Sequence, residues 1–222
     1  MKTHMSLMAV IAASLIGSGA VAQQPHAPHP ATTGVGITAA AKAQPIVELK
    51  MAMRKLWEDH ITYTRNYIIS AVAGLEDEGK IAERLLRNQD DVGAAIEPYY
   101  GDAAGKQLAA LLRDHILIAA EIVAAAKAGK MDQVVIGQKK WTANGKDIAA
   151  FLSGANPYWP KKDLEHMLQV HLDLTTGEVV GRIKKDWAAD IKSYDDGHVH
   201  MLMFADMLSE GIAKQFPANF SE

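Results

Sequence analysis

The chain has 222 residues, 49% hydrophobic and 22% charged, enough for one domain with a substantial core and unlike a disordered or fibrous sequence. A formal charge of −3 excludes a protein that coats polyanions regardless of sequence, so no nucleic-acid partner is expected. With no cysteine, disulfide scaffolds, thiolate zinc sites, iron–sulfur clusters and cysteine nucleophiles are excluded; chemistry must come from His, Asp, Glu, Met, Asn and hydroxyl groups.

Residues 1–22 carry Lys2 and His4, then an apolar run from Met5 to Ile16, then Ala20-Val21-Ala22. A basic start, a short apolar stretch and an A-x-A site form the pattern of an export signal, and the apolar stretch is too short to span a bilayer. The cleaved protein is expected free in the periplasm or outside the cell, with no membrane partner. Residues 23–44, rich in Ala, Pro, Gly and Thr, read as a flexible linker in which His26 and His29 are solvated.

Residues 45–222 read as one helical domain. Apolar residues recur at three and four, and Ala, Leu, Lys, Glu and Met dominate. This predicts helices near 46–73, 76–97, 102–128, 130–153, 161–183 and 187–215. Gly74 and Gly129 punctuate two of the turns, Lys184-Lys185-Asp186 offers no glycine, and Gly197 marks a candidate break in the last helix. Short connections imply antiparallel neighbours. The expected fold is therefore all-α, an up-and-down bundle of about six helices in three hairpins.

Three sets of residues recur in one order. His60, His115 and His171 are spaced 55 and 56 apart; Asn88, Asn144 and His200 are spaced 56 and 56; Pro98-Tyr99-Tyr100, Pro157-Tyr158-Trp159 and Pro217-Ala218-Asn219-Phe220 follow at 59 and 60. That order suggests a triplicated helical hairpin. The first two sets fall on apolar stripes: His60 with Leu56, Tyr63 and Tyr67; His115 with Leu108, Leu111 and Ile118; Asn144 with Trp141 and Ile148. At a rise of about 1.5 Å per residue, each His and the Asn of its hairpin stand some 20 Å from the turn between them. One layer of the bundle is thus predicted to hold His60, Asn88, His115, Asn144, His171 and His200, flanked by Asp91 and Asp147.

Buried polar groups must satisfy one another or a ligand, because leaving each unpaired costs roughly 1–3 kcal/mol. Imidazoles from several helices are what a late first-row metal binds, with carboxylates completing its shell. The expected ligands are His60, His115, His171, His200, Asp91 and Asp147, with Asn88 and Asn144 orienting them; copper, zinc, iron and manganese are not distinguished. The stretch from His198 to Met203, with Met207, adds soft donors that suit copper, or simply core filler. Asp186 and Asp190 read as acidic residues at a helix start. No Glu-x-x-His pair, His-Glu-x-x-His helix, Gly-x-Ser-x-Gly elbow, phosphate loop or dinucleotide fingerprint occurs.

Leu56-Trp57-x-x-His60, Asn88-Gln89-x-Asp91, Pro98-Tyr99-Tyr100-Gly101 and Asp186-Trp187-x-x-Asp190-Ile191 together resemble a family of exported bacterial proteins without an established function, over about residues 50–218. Some members carry kinase or glycosyltransferase labels, but the resemblance implies no catalytic residues.

Two functions follow as expectations. The first is an exported metal-binding protein, with catalysis on the metal left open. The second is a non-catalytic helical protein that binds a partner or small ligand, its His and Asn layer being purely structural. Geometry separates them: hairpins closed around an axis bring the imidazoles together, whereas an open array leaves neighbouring helices about 8–10 Å apart and the rings dispersed.

Overall fold

The computed structural model describes residues 44–221. The expected export signal at 1–22 and all but the last residue of the expected linker at 23–44 lie outside the described residues. Six helices account for nearly all of the rest: α1 (Ile46–Ala73), α2 (Glu78–Tyr100), α3 (Asp102–Lys127), α4 (Met131–Ala155), α5 (Lys161–Lys184) and α6 (Trp187–Gln215). The expected all-α bundle of three hairpins is the observed architecture.

Each helix packs on the next, and α6 packs back on α1, so the hairpins close into a ring. Helix α1 also touches α3 and α5, which puts these three parallel helices on the inside. The ring is fastened where the two ends of the described segment meet: Gln44–Pro45 pairs in parallel with Phe220–Ser221.

The turns explain where the helices stop. Gly74 and Gly129 adopt φ near +69°, the left-handed conformation that ends a helix without a Cβ penalty. The third hairpin uses Lys185 at φ 61° in the same role, so a glycine was not required there. Asp186 caps α6, its side chain accepting from the Ala189 amide. Gly197 does not break α6: it is buried mid-helix, where a Cβ would stand in ordinary contact with Leu174 of α5. Helix α2 likewise runs through Pro98, which ends at Tyr100 instead.

Closure between α2 and α3 relies on a close approach at Gly93. A Cβ there would lie 2.5 Å from the Gly105 carbonyl, so only glycine fits.

The main core fills one half of the bundle. It holds Met53 and Trp57 of α1, Ile96 of α2, Leu112 of α3, Leu152 of α4, Leu164 of α5 and Phe204 and Ile212 of α6. Every one of these lies on the same side of the His60–His115–His171 level, toward the proline and aromatic segments. On the other side are two small clusters, Ile68, Ala71, Val123 and Val179 in one and Ile122, Trp141 and Leu172 in the other. The histidine level is the boundary between a solid half and a looser one.

Candidate functional site: a histidine floor beneath an apolar cavity

His60, His115 and His171 come from α1, α3 and α5, and all three are buried, with 2–3% of each exposed. Their rings converge. The His171 centroid lies 5.5 Å from that of His60 and 5.8 Å from that of His115. Trp57 packs edge-on below His60, and Trp141 lies against His115 at 5.1 Å.

Three pins hold this level, one per hairpin. Asn88 Nδ2 donates to the Leu56 carbonyl, Asn144 Nδ2 to that of Leu111, and His200 Nε2 to that of Met167, at 3.0, 3.0 and 2.8 Å. Each carbonyl belongs to the residue four before an axial histidine. The carbonyl left accepting at Leu111 forces the Asn144 amide to face it, so Asn144 Oδ1 faces His115 Nδ1 at 2.8 Å and accepts its proton. Neutral His115 therefore carries its hydrogen on Nδ1 and a lone pair on Nε2. At the equivalent place Asn88 Oδ1 accepts from Gln89 Nε2 at 3.1 Å. His60 Nδ1 and His171 Nδ1 are buried with no hydrogen-bond partner among the described residues.

All three rings are held uncharged. Burial drives His60 down to about 3, helped by repulsion from His115 and opposed by the neighbouring Gln89 side chain. Burial drives His115 down to about 4, against the opposing effect of its hydrogen bond to Asn144. His171 is pushed well below the ordinary histidine range by burial and by the other histidines. Uncharged imidazole is the form that binds metals and that accepts or donates single hydrogen bonds.

The predicted residues thus separate. His60, His115 and His171 meet at the axis, and Asn88 and Asn144 lie in the same layer as pins. His200 is there too, half-buried, with its Nε2 committed to Met167. Asp91 and Asp147 are not brought to the layer; both are exposed, and Asp91 stands 3.9 Å from Arg84. Three residues past Asn88 and Asn144, they turn off the buried stripe that Val92 and Ile148 continue. The methionines do not gather either, since Met201 is in the core and Met203 is 58% exposed. Among the described residues, no three or more His, Asp or Glu side chains stand as a ready-made metal-holding group.

Above the histidine floor a cavity of about 230 Å³ runs between the C-terminal halves of α1, α3 and α5, with α4 closing one side. Ile68, Ile122 and Val179 line its walls; Met131, Val180, Ile183 and Lys184, all exposed, stand at its mouth. Four of the lining residues carry buried polar atoms without a partner: Thr64 Oγ1, Trp141 Nε1, His60 Nδ1 and His171 Nδ1.

Beside the cavity lies a buried ion cluster that the sequence did not disclose. Arg65 of α1 binds Glu178 of α5 at 2.8 Å and Asp190 of α6, and Arg182 binds Asp190 at 3.0 Å. Burial pushes Glu178 up to about 7 against the pull of Arg65, whereas the two arginines overcome burial and hold Asp190 below the usual carboxylate range. Asp190 is thus a buried anchor between helices, not only an acidic residue at a helix start. The signal available in the sequence was its place four residues after the Asp186 cap, on the inward face of α6.

The fold and site define a closed ring of three helical hairpins with a trihistidine-floored, one-ended cavity. Comparison with family models, curated proteins and solved structures gives no match.

Proposed function

We propose that this is an exported binding protein that holds a transition-metal ion at His60, His115 and His171, the ligand set being narrower than the six residues expected from the sequence. The observation that carries this reading is the meeting, on one axis, of three uncharged imidazoles from three helices, two of them with an unpartnered ring nitrogen. Two imidazoles bound to one ion at about 2.0–2.1 Å have centroids roughly 5–5.5 Å apart, close to the 5.5 and 5.8 Å that separate His171 from His60 and from His115. The donors fit: nitrogen ligands without carboxylates suit copper or zinc better than magnesium or calcium. His115 is oriented by Asn144 as second-layer partners orient metal-binding histidines, with Nε2 left as the donor. A bound ion would supply charge and Lewis acidity at the cavity floor.

Export rests on the Lys2-to-Ala22 pattern, and the equal hydrogen-bond offsets of the three pins support descent from a triplicated hairpin. No described helix is long and apolar enough to cross a membrane.

The test is elemental analysis of protein purified without a nickel column. The expected result is a late first-row metal retained by the native chain and by His200→Ala and Asp147→Ala, and lost from His115→Ala and His171→Ala. Metal-free protein that shows no thermal shift with copper, zinc, iron or manganese would overturn the reading.

A further inference from the structure

The cavity poses a question that an ion at its floor does not answer, because an ion fills almost none of it. Along α5 its lining runs from His171 to Lys184, and along α3 from His115 to Ala126. At a rise of about 1.5 Å per residue those stretches are about 16–20 Å long. A volume of about 230 Å³ drawn out over such a length is a narrow shaft, one chain wide. A compact ring system would leave most of that length empty.

The walls set the chemistry of what goes in. Ile68, Ile122, Val123 and Val179 present only hydrocarbon. The polar side chains of the lining are spent close by: Thr175 Oγ1 donates to the His171 carbonyl at 2.9 Å, and Gln138 Nε2 donates to Thr176 Oγ1 at 3.0 Å. Thr64 Oγ1 and Trp141 Nε1 are sealed within the wall and offer nothing to a ligand. The three floor imidazoles are uncharged, so an ionic group driven down to them would shed its water with nothing of opposite sign to meet it.

The rim is different. Lys184 is the charged side chain of the lining, is exposed, and enters no ion pair among the described residues. Met131, Val180 and Ile183 stand exposed at the same mouth, so a hydrocarbon passes inward without crossing a polar collar. An apolar shaft with an uncharged floor and a cation at its lip is complementary to an apolar tail with an anionic head.

Size follows from volume. A void of about 150 Å³ takes one six-carbon benzene, so in proportion about 230 Å³ takes about nine carbon atoms, one short chain and not the two of a bilayer lipid. We propose that the cavity binds a free, single-chain aliphatic carboxylate of about ten carbons, its tail toward the histidine floor and its carboxylate at Lys184. The tail takes up no nitrogen of His60, His115 or His171, so this site goes beyond the metal reading, does not rest on it and leaves its ligands free.

The test uses the full chain after treatment with a chelator, titrated with decanoate below its micelle concentration and read by calorimetry. Decanol, butyrate and sebacate are the comparisons: the first lacks the charge, the second lacks most of the tail, and the third carries a second carboxylate at the floor end. Decanoate is expected to saturate, butyrate to bind at least about a hundredfold more weakly, and sebacate to show no saturable binding. Lys184→Gln is expected to weaken decanoate about two- to fivefold, as loss of one exposed ion pair predicts, and to leave decanol unchanged. Ala119→Leu adds three carbons to the lining one turn above His115, and is expected to shift the preferred ligand from decanoate toward heptanoate. Lys184 lies on the surface, so its variant reads even where Ala119→Leu disturbs packing. The proposal is overturned if decanoate does not saturate, if sebacate binds as tightly as decanoate, if Lys184→Gln leaves decanoate unchanged, or if a folded Ala119→Leu keeps the native preference. Because the protein is metal-free throughout, a failed metal analysis leaves this result standing, and failure here leaves the metal analysis standing.

Discussion

Asn144 is bonded to α3 at two points at once: its amide nitrogen donates to the Leu111 carbonyl and its oxygen accepts from His115 Nδ1, at 3.0 and 2.8 Å. The same side chain therefore joins α4 to α3 and chooses which nitrogen of His115 carries the proton. Asn144→Ala is expected to destabilise the fold by about 2–4 kcal/mol, since it leaves a buried carbonyl and a buried ring N–H without partners. Asp147→Ala, on the exposed side of the same helix, is expected to stay within about 0.5 kcal/mol. Urea denaturation of both variants checks the contrast.

Acid should unfold this protein earlier than its surface charges suggest. His60, His115 and His171 have folded values far below the ordinary 6.5, so the unfolded chain takes up protons that the folded chain refuses. Stability from this source is complete above pH 6.5 and falls as the pH drops toward about 4, by roughly 1.4 kcal/mol per unit for each histidine. Glu178 acts oppositely: its raised value gives stability below 4.5 that is lost as the pH rises through about 7. It offsets about one of the three histidines, and a net fall of roughly 3 kcal/mol per unit is expected between pH 6 and 5. Denaturation midpoints across that range measure it. Replacing His60 with Gln should reduce the slope.

Removing Arg65 should be worse than removing any exposed cation. Arg65→Met leaves Glu178 and Asp190 buried without their shared partner, at an expected cost of about 3–5 kcal/mol. Arg65→Met with Glu178→Leu should recover part of that loss, because one uncompensated charge is then gone. Lys80→Met, whose pair with Glu83 is solvent-exposed, should leave the thermal midpoint nearly unchanged.

Gly211 bears on the solid half of the bundle. A Cβ at this position would lie 1.9 Å from Trp159 Nε1, and Trp159 is a fully buried core side chain. Gly211→Ala is expected to cost at least about 1–3 kcal/mol through overpacking, despite the better helix propensity of alanine. A drop in thermal midpoint with unchanged helical content at low temperature is the expected readout.

Much of this architecture was legible one helix at a time. The predicted bounds of α1, α5 and α6 match the observed ones to within a residue, and Gly74 and Gly129 end helices as expected. His60, Asn88, His115, Asn144 and His171 were placed on buried faces by spacing alone, and all five are buried. Where a residue's fate depended on angle around the helix, one step of error mattered. Asp91 and Asp147 lie close to Asn88 and Asn144 in height, yet 60° of rotation puts them in solvent. Lys185 took a left-handed turn that composition did not announce, because a non-glycine residue can bear that strain when the surrounding hairpin requires it.

The order of residues along the chain determined the helices, their buried faces and the height of the polar level, because each of these follows from local periodicity and rise. Only the tertiary structure decided that three of those histidines meet on an axis while a fourth is tied to a carbonyl. Ring closure through α6 and α1 is a contact between helices more than 110 residues apart in sequence, and no local pattern encodes it. The same holds for the cavity and for the Arg65–Glu178–Asp190 cluster: both arise from how side chains of distant helices fill, or fail to fill, the space between them.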